Sequence, residues 1–329
     1  MSPITRRRAA TLIAVATLAG PALPLTALAQ AYPSRPITVV VPYAPAGGVD
    51  IVTRVVTQEL AAGLGQSIVV DNKPGASTNI GMAAVAKAAP DGYTLLTASP
   101  SLASNGALFK NLGFDPAADF TAVGKIGYAP LVVVVPAASK FQSFKELVAY
   151  SKQQHPDELS YGSAGNGSSG HLASELMKQE TGAKAIHVPY KGGSPAITDL
   201  IGGRISFMSI NPLEVLAHIQ GGKLRALAVY GSKPIDTLPD LPTTASLGWP
   251  TLDATVWWGL VGPKGLPPEV VARLNAELQK TLARKDVQER LAARGAIVDA
   301  GSAAAFDAFN RAEIAKWTKV IKDAGIQAD

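Results

Sequence analysis

Residues 37–60 read ITVVVPYAPAGGVDIVTRVVTQEL, and this stretch decides the fold. Residues 37–41 form an apolar, β-branched run that is typical of a buried strand. The proline- and glycine-rich loop 42–48 follows, and Asp50 then opens a segment with apolar residues at helical spacing as far as Leu60. The stretch therefore predicts a strand, a glycine-rich loop and a helix in succession.

The same alternation of strand and helix continues along the chain and indicates an α/β fold with mainly parallel sheets. Further strands are predicted at 67–70, 93–97, 131–135, 159–162, 186–190, 205–209, 224–230 and 257–261. Further helices are predicted near 144–154, 171–180, 268–294 and 302–324. Two successive α/β units with a late return predict two lobes joined by two hinge crossings. Lobe 1 would contain residues 32–131 and 255–329, and lobe 2 residues 132–254.

The first 31 residues resemble a cleavable signal peptide. Three arginines at 6–8 precede an apolar stretch, and residues 27–29 supply the small-x-small pattern that signal peptidase needs. Cleavage after Ala29 or Ala31 is expected, by either the general or the twin-arginine export route. The alternative is an uncleaved membrane anchor, but Pro21 and Pro24 interrupt the apolar run. The prediction is a periplasmic location.

Composition excludes several classes of function. The chain has no cysteine, so a lipoprotein anchor, disulfides and thiolate chemistry are excluded. Its 30 Lys and Arg exceed its 25 Asp and Glu by five, and by two once the arginines at 6–8 are removed. No block of like charge remains after residue 31, so nucleic acid and anionic membrane surfaces are not expected partners.

The loop 42–50, PYAPAGGVD, is the first candidate for ligand binding. In open α/β sheets ligands bind beyond the carboxyl ends of the strands, where such loops lie. Paired glycines let backbone amides approach a ligand closely, and the start of the following helix favours an anion. Asp50 has the simpler role of a helix cap.

A second candidate loop, 163–171, reads SAGNGSSGH and also lies between a strand and a helix. It offers backbone amides and hydroxyl groups to a ligand. His171 is a candidate contact, although a structural hydrogen bond is the commoner role. Residues 97–105 and 189–195 are two further strand-to-helix regions with hydroxyls and amides. At the proposed return crossing, Trp257 and Trp258 are expected to pack in the core.

Two other chemistries are alternatives to ligand capture. Gly165, Gly167 and Gly170 satisfy the dinucleotide pattern GxGxxG, but residues 188–191, VPYK, lack the acid that should follow about 20 positions on. Ser169 and His171 could be imagined as nucleophile and base, but no third group is identifiable to orient them. The four histidines lack metal-binding spacing. The sequence favours a non-enzymatic protein without a cofactor, with a nucleotide-binding protein or a serine hydrolase as less favoured alternatives.

Several motifs together resemble one known family, the substrate-binding (Bug) proteins of tripartite tricarboxylate transporters. The resemblance spans nearly the whole chain after residue 31, in the order YPSRPI (32–37), PYAPAGGVD (42–50), APDGYTL (89–95), YGSAG (161–165) with Gly167 and His171, HVPYKG (187–192), and Asp199-Leu200. It implies a type II Venus-flytrap fold that captures a small carboxylate for a membrane permease, as a monomer. A sensory protein that signals to a receptor kinase would share this pocket, and the sequence leaves that alternative open.

The resemblance also implies which residues contact the ligand. Backbone amides of the first and second loops would hold its carboxylate, and neighbouring side chains would shape the rest of the pocket. With His171 added from the loop pattern, the predicted contacts are Tyr43, Ala46, Gly47, Gly48, Ser99, Ser101, Ser163, Gly165, Gly167, Ser168, His171 and Tyr190. Ala46 departs from the commoner Pro-Gly-Gly form of the first loop.

Overall fold

A computed structural model describes residues 32–153, 159–323, 325, 326 and 328. The predicted signal peptide, residues 1–31, and His155 lie outside these residues. Within them, eleven strands and ten α-helices form an α/β fold with two separate sheets. None of the helices in this part of the chain is long and apolar enough to cross a membrane.

The first sheet has six strands in the order β11-β4-β10-β3-β1-β2. Its strands are β1 (Ile37–Val41), β2 (Ile68–Asn72), β3 (Thr94–Ala98), β4 (Phe120–Pro130), β10 (Thr255–Pro263) and β11 (Ile297–Val298). The second sheet has five strands in the order β7-β6-β8-β5-β9. Its strands are β5 (Val132–Pro136), β6 (Ser160–Ser163), β7 (Ile186–Pro189), β8 (Phe207–Ile210) and β9 (Leu224–Val229).

The helices follow most of the strands, as the sequence pattern predicts. They are α1 (Gly48–Leu64), α2 (Asn79–Ala86), α3 (Pro100–Leu108), α4 (Phe144–Gln153), α5 (Ser169–Thr181), α6 (Gly193–Ile201), α7 (Pro212–Gln220), α8 (Pro268–Leu282), α9 (Lys285–Ala292) and α10 (Ala303–Asp323). The single helix predicted over 268–294 is two helices, α8 and α9. Arg284, between them, has an extended backbone (φ −69°, ψ 130°), and Val287 and Leu291 of α9 are buried.

Both sheets are mixed. β1 pairs in parallel with β2 and β3, and β6 pairs in parallel with β7 and β8, as expected for strands joined through helices. β10 returns antiparallel between β3 and β4, and β5 lies antiparallel between β8 and β9. The prediction of parallel pairing therefore holds for the strand–helix–strand units, and the returning strands make each sheet mixed.

The chain passes between the sheets at two adjacent places. Leu131 separates β4 from β5, and its N–H donates to the carbonyl of Ala254, just before β10. Its own carbonyl accepts the N–H of Tyr230, just after β9. These crossings lie where the sequence places the lobe boundaries, and the assignment of the lobes themselves stays a proposal.

The eleven-residue strand β4 is absent from the sequence prediction. Gly124 and Gly127 interrupt its apolar pattern, and both are needed for close packing. A Cβ at Gly127 would lie 2.2 Å from the backbone oxygen of Ile297, and one at Gly124 would lie 2.7 Å from Asn275 Nδ2. Because other segments of the chain come this close, β4 has glycine at positions where the sequence pattern of a strand normally has β-branched residues.

Buried strands and one helix face place the first loop. Val39, Val40 and Val41 of β1 are at most 1% exposed, and the predicted apolar face of α1 is buried. α1 ends at Gly65, which adopts the left-handed conformation (φ 70°) typical of a helix C-terminus. Because both elements are buried, the loop between them is held at the carboxyl end of β1.

Candidate functional site

The first glycine-rich loop is held from within the first sheet. Ala46 has a φ of 62°, a left-handed conformation that the ring of proline cannot adopt. The Ala46 N–H donates to Asp50 Oδ2 at 2.9 Å. Asp50 also accepts from Arg54 Nε at 2.9 Å and from Asn72 Nδ2 at 3.0 Å. Asp50 is the third residue of α1, whose N-cap is Gly47, so it does not cap the helix as predicted; its carboxylate instead ties the loop to β2.

The hydrogen bonds determine the charge state of Asp50. Burial raises the pKa of this carboxyl, but the hydrogen bonds from Arg54, Ala46 and Asn72 outweigh burial and hold the pKa below its usual value. Asp50 is thus an anion at neutral pH, although it is only 3% exposed. Its negative charge is neutralised by these hydrogen bonds and by the Arg54 guanidinium.

Replacing Asp50 with alanine should lower the free energy of unfolding by about 2 kcal/mol, because three hydrogen bonds to its buried, charged carboxylate are lost. Asp307→Ala is the matched control. That aspartate makes an exposed pair with Arg311, so its loss should cost less than about 0.5 kcal/mol. Urea denaturation at pH 7.5 measures both. Equal effects of the two substitutions would contradict the role given to Asp50.

The second loop is closed by its own hydrogen bonds. The Gly165 N–H donates to Ser163 Oγ at 3.1 Å, and Ser168 Oγ donates to the Gly165 carbonyl at 2.6 Å. The Gly167 N–H donates to His171 Nδ1 at 3.1 Å. The Ser168 N–H also donates to the Gly165 carbonyl, at 3.1 Å, so three of the amides predicted to contact a ligand are engaged within the loop in this arrangement.

Two stacked histidines lie beneath the second loop. The His171 and His187 rings are 4.2 Å apart, and His187 stacks in turn on Tyr161. His187 Nε2 lies 2.6 Å from Ser163 Oγ. Burial, opposed by Glu175, lowers the pKa of His171 to about 4, and burial with the neighbouring His171 and Lys178 lowers that of His187 to about 3. Both rings are neutral at pH 7 and support the loop.

The structure gives other roles to the residues that suggested a serine hydrolase or a nucleotide-binding protein. His171 uses Nδ1 for the Gly167 N–H, so this nitrogen is not available as a base for Ser169. Gly165 and Gly167 have φ values of 121° and 75°, as the turn requires. A Cβ at Gly170 would lie 2.3 Å from the Ser209 carbonyl, so this glycine lets α5 pack against β8. Turn geometry and packing account for the GxGxxG pattern here.

Both loops line one small cavity between the two sheets. Its volume is about 30 Å³, so admitting a molecule larger than water requires the facing loops to separate. The lining residues are Tyr43, Gly47, Gly48, Val49, Ser99, Pro100, Ala164, Ser168, Ser169, Gly193, Asn211, Glu214 and Val256. The two loops that were predicted to face each other therefore meet at a shared cavity.

An adjoining cavity of about 160 Å³ shares Ala164 with the first. It is lined by Pro42, Gly75, Ser77, Thr78, Ala164, Gly165, Pro189, Tyr190 and Lys191. Ala76, Ser77 and Thr78 adopt left-handed conformations in succession. Asn105 Nδ2 donates to the Ser77 carbonyl at 2.8 Å and so holds this unusual segment. Asn105 lies at the end of the predicted region 97–105, whereas no sequence pattern indicates residues 76–78.

The predicted site residues divide into two groups. Tyr43, Gly47, Gly48, Ser99, Ser168, Gly165 and Tyr190 line one of the two cavities. Ala46, Ser101, Ser163, Gly167 and His171 line neither cavity; Ala46 is exposed, and the other four are buried. The Tyr43 hydroxyl lies 3.0 Å from Ser99 Oγ and 2.6 Å from Ser101 Oγ. Trp257 and Trp258 are each 1% exposed and pack in the core, as predicted.

Sequence analysis missed Asn211 and Glu214. Asn211 lies in the β8–α7 connection and Glu214 in the first turn of α7; the signal available was an Asn-Pro pair one residue after the predicted strand 205–209. Asn211 is 6% exposed and faces Gly48 from the opposite sheet. Burial raises the pKa of Glu214 to about 6, against the opposing effect of the nearby Gly48 amide and Asn211. The cavity thus contains a buried acid that local patterns did not reveal.

Two larger cavities lie away from these loops. One has a volume of about 340 Å³ and is lined by residues 230–237, by Asp253 and Thr255, by Ala292 and residues 295–297, and by Tyr128 and Pro130. Another of about 570 Å³ lies beside residues 222–226 and 237–241. Neither is lined by either glycine-rich loop. Because loops after parallel strands supply the amide donors and helix starts, the smaller shared cavity is the candidate site.

Comparison with known proteins identifies the family. Residues 52–326 match the model of the tripartite tricarboxylate transporter family receptor. The chain is 38% identical over 324 residues to protein BugT of Bordetella pertussis, covering 98% of each chain. The structure of periplasmic binding protein BugD is similar, with a TM-score of 0.86 at 34% identity, covering 91% of this chain and 100% of BugD.

A third similar protein is Rpa4515 of R. palustris, whose structure was determined with adipate. Its TM-score is 0.86 at 36% identity, and the match covers 90% of this chain and 99% of that one. These similarities confirm the two-lobed α/β fold of periplasmic binding proteins that the sequence motifs predict. The chain therefore belongs to the receptor family of the tripartite tricarboxylate transporters.

Proposed function

We propose that this protein is a periplasmic solute-binding receptor that captures a small carboxylate between two lobes. The observation that carries the proposal is the meeting of two glycine-rich loops, one from each sheet, at one cavity. Among the described residues that line this cavity, none is lysine, arginine or histidine. Recognition of an anion would therefore depend on backbone amides, hydroxyl groups and the starts of helices.

The mechanism assigns lobe 1 to residues 32–131 and 255–329, and lobe 2 to residues 132–254. When the lobes separate, the ligand enters, and when they close, donors of both loops converge on its carboxylate. Gly47, Gly48 and Ser168 make the direct contacts, with Tyr43 and Ser99 beside them. Ala46, Ser101, Ser163, Gly167 and His171 hold those donors in position, and Gly165 and Tyr190 line the adjoining cavity. Neutral donors bind the anion without burial of a formal counter-charge, which has a desolvation cost.

The proposal includes export, with residues 1–31 removed, and action as a monomer without enzymatic activity. The closed form would be recognised by the membrane permease of a tripartite transporter, in keeping with the family. The adipate bound by Rpa4515 supports a small carboxylate as the ligand class.

Isothermal titration calorimetry of the protein from residue 32 onward tests the proposal. The panel should contain mono-, di- and tricarboxylates, amino acids and aromatic acids, with a neutral sugar and an organic cation as controls. At least one carboxylate should bind at one site per chain, and the controls should not. Binding of the sugar or the cation, with no carboxylate bound, would refute the proposal.

A further inference from the structure

Asn211 and Glu214 add an acceptor pair to the cavity. Asn211 Nδ2 donates to Glu214 Oε1 at 2.6 Å, which leaves Asn211 Oδ1 and Glu214 Oε2 as the remaining acceptors. Both of these oxygens are buried and have no hydrogen-bond partner in good geometry, although the Gly48 N–H lies close enough to lower the pKa of Glu214. Because a buried acceptor without a donor is costly, the pair indicates that a donor is supplied from elsewhere.

The surroundings of Glu214 leave its charge without a counter-ion. Of the described residues that line the cavity, Glu214 alone is charged. The carboxylate lies where the starts of α1 and α6 meet: a Cβ at Gly193 would lie 1.7 Å from Glu214 Oε2, and one at Gly47 would lie 3.5 Å from it. The N-cap residues of these helices, Gly47 and Gly192, have no side chain that caps the helix. Glu214 therefore brings a negative charge close to the starts of α1 and α6, beside the loop amides that are proposed to hold the ligand carboxylate.

The acid changes which carboxylates fit the cavity. With a pKa of about 6, Glu214 is ionised at pH 7.5. A second carboxylate beside it would be repelled, since like charges in a buried site disfavour each other. An ammonium group would remove this repulsion and donate up to three hydrogen bonds, enough for both free acceptors. The ammonium group of such a ligand would be the counter-ion of the Glu214 carboxylate.

We propose that the ligand is a zwitterionic amino acid, whose carboxylate is bound by the two glycine-rich loops and whose ammonium group is bound by Glu214 Oε2 and Asn211 Oδ1. This inference rests on the proposed function and narrows its ligand class. Glu214 is then a specificity-determining residue, because it discriminates between an amino acid and the same carbon skeleton without the amino group.

Matched ligand pairs test this inference by calorimetry at pH 7.5: glutamate against glutarate, and aspartate against succinate. In the unaltered protein, the amino acid of at least one pair should bind at least about tenfold more tightly than its partner. The Glu214→Gln variant should reduce this preference to less than about threefold, because it removes the charge and keeps the shape. Glu289→Gln, an exposed change on α9, should leave the preference unaltered.

The outcomes separate this inference from the proposed function. If glutarate or succinate binds as tightly as its amino acid, or if Glu214→Gln leaves the preference unaltered, the zwitterion inference is overturned while carboxylate binding stands. If carboxylates without an amino group bind and no amino acid does, the inference is likewise overturned. If no carboxylate of any kind binds, the proposed function itself fails. Should Glu214→Gln not fold, Asn211→Ser takes its place, since it removes the second acceptor, and it should also reduce the preference.

Discussion

Replacing Gly48 with alanine should weaken ligand binding about a hundredfold, or about 2.7 kcal/mol. A Cβ at this position would lie 2.6 Å from Asn211 Nδ2, 2.8 Å from its Oδ1 and 3.0 Å from its Cγ. Asn211 is buried and hydrogen-bonded to Glu214, so its side chain cannot easily move aside. Overpacking of this kind costs about 1–3 kcal/mol. The overlap arises between the first loop and the β8–α7 connection of the opposite sheet, so it should oppose closure.

Calorimetry with a carboxylate that binds the unaltered protein measures this effect. Gly106→Ala is the matched control, because it is also in a helix and its added Cβ would come no nearer than 3.7 Å to another residue. That control should bind as tightly as the unaltered protein. If Gly48→Ala also binds with unaltered affinity, the bound state does not bring Gly48 and Asn211 together, and the proposed closure is wrong.

Acid should destabilise the fold strongly through the His171–His187 pair. Burial is the largest cause of the lowered pKa of each ring, to about 4 for His171 and about 3 for His187. In the unfolded chain each histidine binds a proton near pH 6.5, whereas in the folded protein it stays neutral to much lower pH. Stability due to these residues is therefore present above pH 6.5 and is lost as the pH falls below it. At pH 5 the loss is about 2 kcal/mol for each histidine.

The free energy of unfolding at pH 7.5 and at pH 5.0 tests this prediction, with the His187→Gln variant as the comparison. Other groups also titrate between these values, so the informative quantity is the difference between the two proteins. The variant should lose about 2 kcal/mol less than the unaltered protein on acidification, since one buried titrating ring is gone. Equal losses would show that His187 does not remain neutral in the folded state.

The parts of the site that can be predicted are those in which the pattern lies within a short stretch of sequence. The loop 42–50 was identified because a β-branched run, paired glycines and a helical pattern follow one another within a few residues. The second loop, 163–171, was identified for the same reason. Strand β4 was missed because Gly124 and Gly127 serve contacts with distant residues, Asn275 and Ile297. In the sequence alone, a glycine that allows two segments to pack closely cannot be distinguished from a glycine that ends a strand.

The sequence by itself determined the α/β class, the family and the two loops that face each other, because strand and helix periodicity and short motifs are local properties of the chain. Only the tertiary structure decided that Asn211 and Glu214 enter the same cavity, and that His171 supports the loop from behind. Burial, lost counter-charges and unsatisfied acceptors depend on which residues of one sheet meet those of the other. That information arises only when segments far apart in the chain pack together.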